Sequence, residues 1–320
     1  MKLFVFGSTG DLVKRKVLPA LHKFENLKTY VLGRKILDNE QYNNEYCKKC
    51  SKEFKLNLNY LQLNLEKEIY SQIKGYLDNS DVNYFYISMP PEFTLNLIRS
   101  IIHIRDSGFQ IQVLVEKPFG ANLKEARLLQ KLIKKNKIEE DIYLSDHYLF
   151  KESLFNLKES NFNKLKVVSL EELGVEGRVY YDSVGALKDM VQSHFLNIMH
   201  KLMKFSDKDV EIKNIKFGQY QDYKKEIGKE SNTETYVKLG LEIKGREIEL
   251  ETGKKFNKKE SFIELDKIKI DISLDNECYC NLFESFFNER KEKFPTITNS
   301  ILNWKIIERI EKNKSEVFLY

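Results

Sequence analysis

The sequence lacks any apolar run approaching the ~20 residues that span a bilayer. No export signal is expected: the apolar stretch in MKLFVFGSTGDL is short, has no cleavage site and runs into a glycine-bearing turn. Secretion and membrane insertion are disfavoured, and a cytoplasmic protein is expected. There is no internal repeat and no low-complexity linker. Nor does charge of one sign predominate. The 53 basic and 48 acidic residues leave a net charge of +5, which does not read as a nucleic-acid protein.

Three residue types are scarce enough to be informative. Arginine supplies only 9 of the 53 bases, and its planar fork suits a phosphate, so each arginine is a candidate phosphate ligand. Five histidines occur in the whole chain. The four cysteines are Cys47, Cys50, Cys278 and Cys280. Cys47-Lys-Lys-Cys50 has metal-like spacing, and Cys278-Tyr-Cys280 could complete a tetrad. The surroundings lack the turn residues of a zinc knuckle, so reduced structural thiols are the better reading and no metal site is expected.

What is present is an ordinary globular composition, 42% hydrophobic and 32% charged over 320 residues, sufficient for one large or two modest domains. Residues 2–6 (KLFVF) read as a buried strand. It enters a helix through Gly7-Ser8-Thr9-Gly10-Asp11-Leu12, with Asp11 as N-cap and Pro19 as an early stop or kink. Further strands are predicted at KTYVLGR, at 56–65, at VNYFYISMPP, at QIQVLVEKPFG and at 141–144. Helical segments at about 37–55, 71–78, 93–104 and 123–137 separate them. The alternation predicts a doubly wound, Rossmann-like α/β domain over residues 1–145. Residues 146–320 read as an α+β domain. It holds a helix at MVQSHFLNIMHKLMKF, an antiparallel meander at YVKLGLEIKGREIELETGK and SFIELDKIKIDISL, and closing helices. Ligands are expected between the halves.

Several motifs carry chemistry. Glycines after a buried strand let a backbone approach a pyrophosphate, although a plain strand-turn-helix has the same look. Arg34 stands just past the second strand, where an acid would hold a ribose hydroxyl and a base suits a 2′-phosphate. Glu116-Lys117-Pro118-Phe119-Gly120 ends a strand on the ligand-binding side of such sheets. Asp146-His147-Tyr148-Leu149-Phe150-Lys151 offers cations and a hydroxyl for an anion. His194 lies on an apolar helix five residues after Asp189. Two histidines near acids, among so few, point to chemistry.

Taken in order, FGSTGDLVKRKVLPAL, VEKPFG, SDHYLFKE, EGRVYYDSVGALKDMVQSH and TGKKFNKKESFIEL resemble the glucose-6-phosphate 1-dehydrogenase family. The resemblance implies hydride transfer from C1 of glucose 6-phosphate to NADP, with NAD the other possible coenzyme. It implies His194 as the base and Asp146 as its orienting partner. Phosphate contacts fall to His147, Tyr148, Lys151 and Lys259. Sugar-hydroxyl contacts fall to Lys117, Glu171, Asp189 and Lys254, and Lys16 lies near the reacting end. The coenzyme site takes Gly7, Ser8, Thr9, Gly10, Asp11, Leu12, Arg34, Met89, Pro90 and again Lys117.

The chain is shorter than the family's usual length by about a third, so a reduced antiparallel sheet is expected in the second domain. A homodimer through that sheet is the implied partner, with no nucleic acid and no membrane. Phe150 stands where the family has glycine beside Lys151, and this motivates a second reading: a dehydrogenase of another sugar 6-phosphate. A third is a non-catalytic sugar-phosphate- or NADPH-binding subunit. The retained His194, Asp146 and Lys16 argue against it.

Overall fold

The computed structural model describes residues 1–47, 57–273, 277–314 and 316–320. They form two units: Met1–His147 with Glu277–Ile297, and Tyr148–Asn276 with Thr298–Tyr320. Among the described residues no helix is long and apolar enough to cross a membrane.

The first unit is built on strands β1 (Lys2–Phe6), β2 (Lys28–Gly33), β3 (Asn57–Gln62), β4 (Asn83–Ile87), β5 (Ile111–Val115) and β6 (Ile142–Leu144). Their order is β3-β2-β1-β4-β5-β6, and every pair is parallel. The apolar runs follow from this arrangement. A parallel sheet is covered on both faces, so β4 is buried at all five positions. The strand order reverses between β1 and β4, the place where open α/β sheets bind ligands.

Helix Cys278–Phe287 returns from far along the sequence to this unit. Phe286 meets Tyr84 and Tyr143 edge-on at 5.3 and 5.0 Å, and Phe283 meets Tyr86 at 5.3 Å. Burying each such ring contributes roughly 1.5–3 kcal/mol. Lys291 then ties the segment down by donating to the carbonyls of Glu139, Glu140 and Ile142.

The second unit holds β7 (Lys164–Leu170), β8 (Val210–Gln219), β9 (Tyr236–Ile243), β10 (Arg246–Gly253), β11 (Glu260–Leu265), β12 (Ile268–Asp271) and β13 (Val317–Leu319). The order is β12-β11-β7-β10-β9-β8-β13. Neighbours run antiparallel except β7 with β10 and β8 with β13. Positive φ at Lys244 and Gly245 makes the tight β9–β10 turn. Burial alternates along β9 and β10, as it should where only one face is covered. The helix bearing His194 packs on β10.

Some expectations are corrected. Asp11 does not cap the first helix. It lies inside it, 2.7 Å from Arg15 one turn on. The helix predicted over 37–55 is Asn39–Tyr46, started by a capping box at Asp38 and Gln41; 48–56, with Cys50, lies outside the described residues. Cys278 and Cys280 form no disulfide, whereas Cys47 is disulfide-bonded, so the reading of four reduced thiols fails there. Strands β7, β8 and β13 are not among the strands the sequence pattern predicts.

Candidate active site

At the switch point β1 ends in the glycine turn. Gly7 has φ +79°, and a Cβ on it would lie 2.0 Å from Ser88 O and 3.1 Å from Met89 Cγ. Only glycine lets the turn close against the end of β4. The amides of Gly7 and Ser8 both donate to Leu32 O, and Gly10 N–H donates to Gly7 O. These bonds shape the turn and commit those three amides within the protein. Ser8 is fully buried, and its hydroxyl has no hydrogen-bond partner. Thr9, Asp11 and Leu12 complete the turn and open the helix, and Lys16 is exposed on its next turn. Pro90 is the N-cap of helix Pro91–Asp106.

Arg34 follows the last residue of β2 and is exposed, with its guanidinium 6.0 Å from the centroid of Phe93. No carboxylate pairs with it among the described residues. Its neighbour Lys35 is committed instead to Glu45 and Tyr46. Sequence reasoning missed the groups that brace this region. Tyr42 is sandwiched between Tyr46 and Tyr60, each 4.9 Å away, and its hydroxyl donates to Ser8 O at 2.8 Å. Tyr60 donates to Lys35 O at 2.6 Å. Tyrosines at strand and helix positions read as core, and only the fold reveals the hydroxyl contacts.

The ends of β5 and β6 are joined by a buried carboxylate. Glu116 accepts from Tyr86 at 2.6 Å and from Ser145 at 2.7 Å. Burial pushes its carboxyl up, opposed by those two hydroxyls. Glu116 thereby fixes the segments holding Lys117, in a cis bond to Pro118, and Asp146, which is 1% exposed. The ring of His147 stacks on Tyr279 at 5.5 Å.

In the second unit the imidazole of His194, 1% exposed, lies nearly parallel to Tyr148, with 4.1 Å between ring centroids. Lys151 stands 4.0 Å from the centroid of Tyr148 and donates to Ile272 O at 2.8 Å. The stack fixes the plane of the imidazole, which a directional base requires. Tyr148 Oη is 3.4 Å from Ser169 Oγ.

A second group forms at the ends of the parallel strands β7 and β10. Lys254 Nζ donates to both oxygens of Glu171 at 3.0 Å and lies 5.3 Å from the centroid of Tyr181. Burial, followed by the Asp189, Glu234 and Glu171 carboxylates, raises the Tyr181 hydroxyl well above its ordinary value. Glu171 and Lys254 therefore meet beside a tyrosine that the sequence did not single out, and the charge of Asp189 acts on the same hydroxyl. Lys259 is exposed in the turn before β11. Phe150 is wholly buried, 6.0 Å from Phe155.

Comparison with known proteins gives concordant findings. Residues 4–156 match the family described as glucose-6-phosphate dehydrogenase, NAD binding domain, and residues 149–216 match its C-terminal domain. The glucose-6-phosphate 1-dehydrogenase of Helicobacter pylori is 29% identical over 286 residues, 74% of this chain and 67% of that protein. That of Borreliella burgdorferi is 29% identical over 348 residues, 86% of this chain and 72% of its own. A crystal structure of the Mycobacterium avium enzyme superposes with TM-score 0.80 at 20% identity, covering 100% of this chain and 93% of that one.

Proposed function

The chain belongs to the glucose-6-phosphate dehydrogenase family, and on that premise we propose that it oxidises glucose 6-phosphate at C1 to 6-phosphogluconolactone with NADP as acceptor. The observation that carries this reading is His194, a buried imidazole held face-on to Tyr148 with Lys151 on the same tyrosine.

The glycine turn fits a dinucleotide: Gly7 occupies a place that any Cβ would block, at the switch point of the sheet. Residues 7–12 with Met89 and Pro90 would hold the coenzyme. Arg34, free of any carboxylate among the described residues, would take the 2′-phosphate. When bound, the nicotinamide supplies the hydride acceptor.

His194 takes the proton of the C1 hydroxyl, and Asp146 orients the ring and balances the imidazolium that forms. His147, Tyr148, Lys151 and Lys259 bind the phosphate; Lys151 exchanges the Ile272 carbonyl for it, a charge-assisted bond replacing a neutral acceptor. Lys117, Glu171, Asp189 and Lys254 bind the sugar hydroxyls, and Lys16 stands near the reacting carbon. Phe150 does not favour another sugar, because its ring is buried in the core beside Phe155. A cytoplasmic homodimer joined through the sheet of the second unit completes the proposal.

The test is direct. Purified protein is mixed with NADP or NAD and a panel of sugar phosphates, and the absorbance of reduced nicotinamide is followed. Rapid reduction with glucose 6-phosphate and NADP is expected. Reduction only with another sugar would overturn the substrate, and coenzyme binding without reduction by any sugar would point to a binding subunit.

A further inference from the structure

The helix that carries His194 is not a regular α-helix. Leu187–Phe195 is wound as a π-helix and passes into an α-helix at Leu196–Leu202. Leu196 N–H makes a π-type bond to Val191 O. Where the ladder drops from five-residue to four-residue steps, one carbonyl is passed over and needs another donor.

The next carbonyl, Gln192 O, accepts from Asn303 Nδ2 at 3.1 Å. The same nitrogen donates to Asn197 Oδ1 at 2.9 Å, and Asn197 Nδ2 donates to Ser193 O at 2.6 Å. Side-chain amides thus hold the carbonyls of both residues that precede His194. Asn303 is 1% exposed. With its nitrogen turned to two acceptors, its Oδ1 faces His200 Nε2 at 2.9 Å. His200 is kept neutral by burial, so Nε2 must carry the proton.

Asn303 belongs to helix Ile297–Lys312, which meets the His194 helix again through Glu311 and Lys188, 2.9 Å apart. Just beyond it, Lys314 pairs with Glu234, whose carboxylate accepts from Leu187 N–H at the start of the π segment. An asparagine buried among apolar neighbours costs stability unless every polar atom is partnered. Here the Nδ2 bonds run, directly or through Asn197, to the crossover beside His194.

We propose that Asn303 is a positioning residue for catalysis, its amide locking the π-to-α crossover and so fixing where the His194 imidazole stands. This rests on the reading of His194 as the base.

The experiment compares Asn303→Leu, Asn303→Asp and His194→Asn in the full chain, well below each variant's melting temperature. Asn303→Asp keeps the shape and the acceptor toward His200 but removes the donor to Gln192 O. Both Asn303 variants are expected to lower kcat by roughly 10- to 100-fold, the scale of a small misplacement of a reacting group. The KM for sugar phosphate and the Kd for NADP should stay within about threefold. If neither folds, Asn197→Ala removes the donor to Ser193 O and should show the same split at smaller size. A kcat within twofold of the parent, or a rise in KM with kcat unchanged, would overturn the proposal while His194→Asn remains inactive. Near-normal turnover in His194→Asn would instead remove the base, and the positioning role with it.

Discussion

The glycine turn of the first unit and the His194 group of the second are built from different materials. In the first, the turn proposed to hold the coenzyme is shaped by backbone: a glycine at positive φ, amides committed to Leu32 O, and a turn held at Ser8 O by Tyr42. In the second, the groups proposed to react are side chains held by other side chains: Tyr148 on His194, Lys254 on Glu171, Asn303 beneath the crossover. A backbone-built site fails when a side chain is added. A side-chain-built site fails when one is taken away. The glycine turn should therefore fail on added bulk, and the group around His194 on lost side chains.

The sharpest way to break the second unit is to remove the proposed base. His194→Asn is expected to lower kcat by roughly 10²- to 10⁴-fold, with KM for glucose 6-phosphate little changed. Steady-state kinetics read this, and near-normal turnover would reassign the base. For the first unit the corresponding change adds one methyl. Gly7→Ala puts a Cβ 2.0 Å from Ser88 O on a backbone at φ +79°. It should cost about 3 kcal/mol or more and weaken NADP binding. Denaturant unfolding and fluorescence titration check both, and a stable variant with normal NADP affinity would refute the close approach.

Smaller effects sharpen the contrast. Arg34→Ala should raise the KM for NADP by about tenfold while hardly touching that for NAD, as loss of a charged contact to one phosphate predicts. An equal rise for both coenzymes would remove Arg34 from the 2′-phosphate. The mildest effect is one of pH. Burial lowers His200 from 6.5 to about 4, so between those values the unfolded chain binds the extra proton. Its contribution to stability is complete above pH ~6.5 and is lost as pH falls toward 4, by roughly 3 kcal/mol at most. His200→Gln should flatten that part of the stability curve; an unchanged slope in urea unfolding would contradict the assignment.

The same contrast explains what the sequence disclosed. All six strands of the first unit were legible because a doubly covered parallel sheet writes each strand as a short apolar run. In the second unit β9 through β12 were legible from alternation and tight turns. β8 was not: a register shift between Ile212 and Asn214 breaks its period. Nor was β13, three residues that pair with a strand about a hundred positions earlier. Among the candidate site residues, histidine was scarce enough for His194 to draw notice. Asn303 is one asparagine among many, and its place beside Gln192 O comes from a long-range helix contact that no local pattern announces.

The central claim is that hydride leaves C1 of glucose 6-phosphate for the nicotinamide, and isotope transfer tests it most directly. Glucose 6-phosphate carrying deuterium at C1 is turned over with NADP, and the reduced coenzyme is analysed by mass spectrometry. One deuterium per reduced nicotinamide, with His194→Asn transferring almost none, is the predicted result. Reduced coenzyme without deuterium, or no reduction from this sugar while the protein binds NADP, would contradict the account.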